Sequence, residues 1–148
     1  MPMKTIFTIL LSLCAGFGFA QQSPVSVQVT EIPGQGFRFE SADRSHQSPG
    51  EVWDEAEPFV NGFSRVLKNI LFGFVNGKGQ PIAPVSFEAA RNFSGGLAAV
   101  QKQGKWGFIN ENGIVVIPAT FEIVFDFSEN VSPAYVSGKW WLINKSGK

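Results

Sequence analysis

The 148 residues contain one cysteine, one histidine and one tyrosine, and only 16% of the side chains are charged. Each scarcity closes a class of chemistry. A single cysteine, Cys14, allows no internal disulfide and no cysteine-rich metal site. The lone histidine, His46, lies in a polar stretch without period, Ser41 to Gly50. No Gly-x-Ser-x-Gly elbow supplies it with a nucleophile, and a metal site needs three or four converging donors. Twelve basic residues balance twelve acidic ones. Such a chain has no strong field to steer nucleic acid or an anionic membrane. Gly77-Lys78-Gly79 lacks the strand–loop–helix setting of a phosphate-cradling loop.

The first twenty residues differ from the rest. Lys4 precedes an uncharged apolar run, Ile6 to Phe19, and Gly18-Phe19-Ala20 places small residues three and one before Gln21. This pattern predicts a signal peptide over residues 1–20, cleaved after Ala20. The run is short of the ~20 apolar residues of a membrane span. Leu13 before Cys14 argues against lipidation, which wants a small residue there. The mature chain then begins at Gln21 with 11 basic side chains against 12 acidic ones, a net charge of −1 and no cysteine. The expected location is secreted or periplasmic, with no membrane span after cleavage. Without disulfides, burial alone must hold the fold, and the 12 phenylalanines (15 less Phe7, Phe17 and Phe19) and four tryptophans of the mature chain can supply it.

What the sequence does have is a period. Phe59, Phe93 and Phe127 stand 34 residues apart. The same step links Phe72, Trp106 and Trp140, then Asn76, Asn110 and Asn144, then Gly79, Gly113 and Gly147. Self-similarity at this spacing marks units that each bury an apolar face against the next. In the middle unit, Leu97–Lys102 reads as a strand, Gly104 as a turn and Lys105–Asn110 as the return strand, with Trp106 and Phe108 on one face. Asn110 and Gly113 suit a tight turn whose last residue needs positive φ. Ile114–Ile117 reads as a third strand, ended by Pro118, which cannot donate to a ladder. The fold class expected is all-β: a short tandem array of about 34-residue, three-stranded antiparallel meanders, either a ribbon or a small propeller-like ring.

Residues 52–148 hold about two and a half such units. An aromatic followed by an acid recurs as Trp53-Asp54, Phe87-Glu88 and Phe121-Glu122, and reads as a connector made of a bend or one helical turn. Acids that recur once per unit suit capping better than catalysis, so Asp54, Glu55 and Glu57 are not taken as a paired-carboxylate site. Gly73 and Gly107 sit inside strands, where glycine costs stability, which suggests a neighbouring ring packed over bare backbone. Residues 21–51 hold a strand around Val25 to Thr30, a turn cluster at Pro33–Gly36, a short strand at Phe37–Phe39 and a polar loop. They read as a degenerate half repeat. The segment matching Ile114–Ile117 is missing after Asn144, and the Val25–Thr30 strand has no evident partner. It is expected either to close the array onto the last unit or to cap the first.

Phe-Ser-Gly-Gly-Leu-Ala-Ala-Val at residues 93–100, Gly-Lys-Trp-Gly-Phe-Ile-Asn at 104–110 and Val-Val-Ile-Pro at 115–118 resemble the WG-repeat (KWG-repeat) family. The first unit has Phe72 in place of the tryptophan. The third keeps Gly138-Lys139-Trp140 but has Trp141 where the family has glycine. The resemblance implies an all-β interaction module, often exported from bacteria, with no catalytic residues or cofactor to carry over. Function is therefore expected to be non-enzymatic binding, with a protein partner first. The alternative is cell-wall polysaccharide held between aromatic rings, since GKWWLINKSGK is also similar to cell-wall-binding repeats. Adjacent strand residues point to opposite faces, so Trp140 and Trp141 cannot share one core. Trp140 is assigned to the core and Trp141 to the surface. Trp141, Trp140 and Tyr135 are the candidate binding residues, while Trp106, Phe108, Phe121 and Phe127 are expected in the core.

Overall fold

A computed structural model describes residues 27–41 and 51–148. The signal segment, Val25 and His46 lie outside the described residues. Twelve strands and no helix make up the described part: β1 (Val27–Ile32), β2 (Gly36–Ser41), β3 (Glu55–Ala56), β4 (Phe63–Lys68), β5 (Leu71–Asn76), β6 (Ala89–Ala90), β7 (Leu97–Lys102), β8 (Lys105–Asn110), β9 (Val115–Phe121), β10 (Ile123–Val124), β11 (Val131–Val136) and β12 (Lys139–Asn144). They form four antiparallel sheets ordered β1-β2, β3-β4-β5, β6-β7-β8-β9 and β10-β11-β12.

Local chemistry sets the repeating hairpins. β7 and β8 are joined by Gln103 and Gly104, both at positive φ (52° and 71°), and β11 and β12 by Ser137 and Gly138 (53° and 78°). Two such residues give a loop whose twist matches that of the strands. The Asn-x-x-Gly turn also forms as its sequence predicts. The Asn110 side-chain oxygen accepts the N–H groups of Asn112 and Ile114 at 3.0 Å each, and Gly113 has φ 75°. Asn76 and Asn144 repeat these bonds.

Three expectations are corrected by the strands. The connector holds the expected bend, at Asp54, Glu88 and Glu122, but no helical turn, and it goes on as a strand. Its centre is a two-residue strand, β3, β6 or β10, paired antiparallel with the strand that follows. Pro118 does not end the third strand, because β9 runs through it to Phe121. The β8–β9 register slips between Trp106↔Phe121 and Phe108↔Ile117, and Pro118 sits in that irregularity, where no ladder donor is needed. Nor does a ring cover the strand glycines. A Cβ on Gly107 would lie 2.4 Å from the Ile117 carbonyl oxygen and 2.7 Å from the Ala119 nitrogen. The close neighbour is the backbone of β9; at Gly73 it is the Val85 side chain, at 2.9 Å.

The core lies between successive sheets. Alternate residues of each return strand serve two clusters: Phe108 packs forward with Val124, Phe127, Ala134 and Ile143 of the third unit, and Ile109 packs back with Phe74, Phe87 and Phe93. One edge-to-face ring pair marks each junction. Phe39–Phe59, Phe74–Phe93 and Phe108–Phe127 have centroids 5.6, 5.0 and 4.9 Å apart. The first of these pairs involves the N-terminal hairpin. β1 pairs with β2 rather than lacking a partner. β2 in turn is bridged to the first unit through Phe37 and Trp53, which exchange backbone bonds of 2.7 and 2.8 Å. The N-terminal strand therefore caps the first unit, and the array is an open ribbon.

Candidate functional site

The repeat acids are structural. Glu88 accepts the Gln103 and Gly104 N–H groups at 2.9 Å each, Asp54 accepts that of Asn69 at 2.7 Å, and Glu122 that of Ser137 at 3.4 Å. Each carboxylate closes the hairpin turn of its own unit. Glu57 is held by Arg65, whose Nε donates to it at 3.0 Å. No group of three or more His, Cys, Asp or Glu side chains converges on a metal position among the described residues. A shallow cleft of about 370 Å³ beside Trp53, lined by Pro81 to Val85, has Glu51 as its one titratable side chain.

The outer face of the last sheet is different. Ile123, Tyr135 and Trp140 lie opposite one another across β10, β11 and β12, and Pro133 lies opposite Leu142. Phe125 extends the β10 row, its N–H donating to the Pro133 carbonyl at 3.1 Å. The opposite face of this sheet, through Val124, Ser132, Ala134 and Ile143, is buried against the second unit. The outer face is open: Ile123, Phe125, Val131, Trp140 and Leu142 are 44%, 47%, 39%, 54% and 66% exposed. The corresponding residues Leu97, Ala99 and Phe108 of the second unit are buried, because the third unit covers them. An exposed, contiguous apolar face of this kind marks an interaction surface.

Of the residues singled out in the sequence, Trp140 and Tyr135 come together, their ring centroids 5.2 Å apart. Trp141 points to the other side of the strand, at the position of Gly107. The assignment of Trp140 to the core is corrected. Trp106 is half-buried because Phe121 of β9 lies opposite it and the core between the second and third units packs against it, and Trp140 has no such cover. Phe108, Phe121 and Phe127 are core residues as expected. Phe125, 6.0 Å from Trp140, was missed. Its signal was available: the equivalent positions in the other units are Glu57 and Arg91, so an aromatic ring replaces a charge there. The Arg91 guanidinium now lies over both the Trp106 and Phe125 rings, 5.7 and 5.9 Å from their centroids, and ties the last two units together.

No curated protein and no solved structure matches the chain. The sequence pattern of the WG-containing repeat matches at residues 52–69, 72–106 and 106–140, the last two starting one 34-residue period apart and each running from a return strand into the next sheet. By that match over more than half its length, and by the period its packing repeats, the chain belongs to the family of WG-containing repeat proteins.

Proposed function

We propose that the protein is an exported, non-enzymatic binding module that holds another protein on the open face of its last sheet. One observation carries this reading: the face whose equivalent is buried between units elsewhere is apolar and exposed through Ile123, Phe125, Trp140 and Leu142. Aromatic anchors within a patch of aliphatic side chains suit protein recognition. The export part rests on Lys4, the apolar run to Phe19 and the small residues before Gln21.

The second reading is binding of cell-wall polysaccharide. The aromatic row of Phe125, Trp140 and Tyr135 favours it. Against it, the rings are inclined by 40° and 54° and make no flat platform, and Ile123, Val131, Pro133 and Leu142 around them offer no side-chain partner for sugar hydroxyls. Pull-down from an envelope extract separates the two. Retention of a protein by the wild type but not by Trp140→Ala supports the first, and retention of both on insoluble polysaccharide alone contradicts it. Mass spectrometry of the exported chain should find Gln21 at its start; Met1 or Lys4 in it contradicts export by cleavage.

A further inference from the structure

The open sheet has an open edge as well as an open face. In β5 the backbone groups of Phe72, Phe74 and Asn76 point away from β4. Phe72 N–H donates to the Phe87 carbonyl at 2.8 Å, the Phe74 carbonyl accepts the Ile82 N–H at 3.0 Å, and Asn76 N–H donates to Gln80 at 2.9 Å. Two periods on, these positions are Trp140, Leu142 and Asn144. Asn144 N–H donates to the Lys148 carbonyl at 2.9 Å, which confirms the phase. Among the described residues, the outward backbone groups of Trp140 and Leu142 meet no other strand.

Among the described residues, each equivalent edge takes an aromatic residue opposite its first position, through the strand β9 in the second unit and through single bridges on β2 and β5. Trp53 lies opposite Phe37, Phe87 opposite Phe72 and Phe121 opposite Trp106. An aliphatic residue, Ile117, lies opposite Phe108. These side chains fall on the same face as the strand residues they oppose: Ile117 and Phe121 join Phe108 in one cluster, with Trp106 packed against it. In the second unit the segment makes a detour between those two contacts, crossing close over Gly107. Trp141 stands at that position in β12, and its side chain blocks the detour. Arg38 stands there in β2, and Phe37 still takes its aromatic partner, so a side chain at this point does not abolish the pairing.

Resting on the protein-binding reading above, we propose that β12 accepts a straight partner strand in antiparallel register. Its motif is a branched aliphatic residue, any residue, then an aromatic one. The aromatic residue pairs with Trp140, the aliphatic with Leu142, and both lie beside them on the open face. Main-chain bonds to Trp140 and Leu142 give such a strand its grip, and the alternate side chains give it selectivity. Because Trp141 forces the straight path, the two anchors are two residues apart. In β9 they are four apart, at Ile117 and Phe121.

The probe is the end-blocked hexapeptide Ala-Pro-Val-Ser-Phe-Glu, the chain's own residues 83–88, added to the full mature chain and followed by tryptophan fluorescence. Saturable binding is expected. N-methylation of the valine or phenylalanine nitrogen removes a bond to the edge and should weaken binding at least about tenfold, the equivalent of 1.4 kcal/mol. In the straight register the serine nitrogen points away from β12, unlike Ser86 in its own place, where it donates to the Phe72 carbonyl at 3.2 Å, so its N-methylation should leave binding within about threefold. Because these changes are in the peptide, the protein's folding is not at issue. Loss of binding in Trp140→Ala, read by calorimetry because the substitution removes the reporting ring, and with an unchanged melting curve, places the site. Absence of saturable binding, or equal effects at all three nitrogens, overturns the proposal. So does sedimentation showing a stable dimer from which the peptide displaces nothing, since a second copy then fills the face. If envelope pull-down still depends on Trp140 while the alternating pattern is absent, the binding reading survives and the strand-addition proposal falls. If neither is seen, both fall.

Discussion

Phe108 and Leu142 stand one period apart at the same place in successive return strands, yet Phe108 is fully buried and Leu142 is 66% exposed. The difference is set by the neighbours, since Phe108 has Ile117 of β9 opposite it and Val124 and Phe127 of the next unit packed against it, and Leu142 has neither. Truncation should therefore have opposite consequences at equivalent residues. Phe108→Ala should cost about 3–5 kcal/mol, the usual cost of emptying a buried aromatic site. Leu142→Ala should stay within about 0.5 kcal/mol of wild type, as for surface sites. Urea melts of the two variants check this; comparable losses would mean that Leu142 is covered.

Gly107 and Gly73 also share one repeat position but differ in what lies over them. A Cβ at Gly107 meets β9 backbone atoms at 2.4–2.8 Å, whereas at Gly73 its close contact is the Val85 Cγ2 at 2.9 Å. Backbone held in a paired strand cannot step aside as a methyl group can. Gly107→Ala should therefore destabilise by about 1–3 kcal/mol through overpacking. Gly73→Ala should cost clearly less, despite the same gain in strand propensity. Denaturation midpoints give the order directly, and a larger loss at Gly73 would refute it.

These two positions show how much the sequence disclosed. The period, the hairpins and the Asn-x-x-Gly turns were legible because they depend on local chemistry: alternation, positive φ and a side-chain oxygen able to accept nearby N–H groups. The in-strand glycines marked a close approach, but not its author, since nothing local says that β9 bends over Gly107. Proline's missing donor marks Pro118 as a strand end. That inference fails where a register slip removes the need for one. The match of Trp140 to Trp106 points to the core, but periodicity transfers a residue's direction and not its neighbour. Phe125 escaped notice because its repeat equivalents are charged, and a face between units is apolar only in combination with the sheet that meets it.

Ile70 is a β-branched residue at φ 65° in the β4–β5 turn, with its side chain 85% exposed. The matching residues, Gly104 and Gly138, are glycines with similar φ. A left-handed conformation costs an L-residue roughly 1–2 kcal/mol, and this side chain recovers little of it by burial. Ile70→Gly removes that strain at the expense of extra freedom in the unfolded chain, about 0.5–1 kcal/mol. A net stabilisation of up to about 1 kcal/mol is expected, seen as a higher urea midpoint with an unchanged slope. A destabilised variant would show that Ile70 makes contacts that outweigh its strain.

The N-terminal hairpin supplies the sharpest test of how the ribbon is organised. Phe39 lies in one cluster with Trp53, Val66 and Val75 and packs edge-to-face on Phe59. Phe37 exchanges backbone bonds with Trp53, and the Phe39 Cβ lies 3.0 Å from where a Cβ on Gly79 would be. The hairpin thus seals the first unit as each later unit seals the one before it. Deleting residues 21–41 should raise amide exchange at Trp53, along Phe63–Lys68 and in the Asn76–Gly79 turn, because those amides lose the layer that excludes water. Trp140–Asn144 should exchange as in the wild type, since that strand is at the other end of the ribbon. Phe39→Ala makes the same point with less disruption. It should destabilise by about 3–5 kcal/mol as a buried aromatic truncation and raise exchange over the same segments. Faster exchange confined to Trp140–Asn144 would instead mean that the hairpin reaches across to the last unit and closes the array.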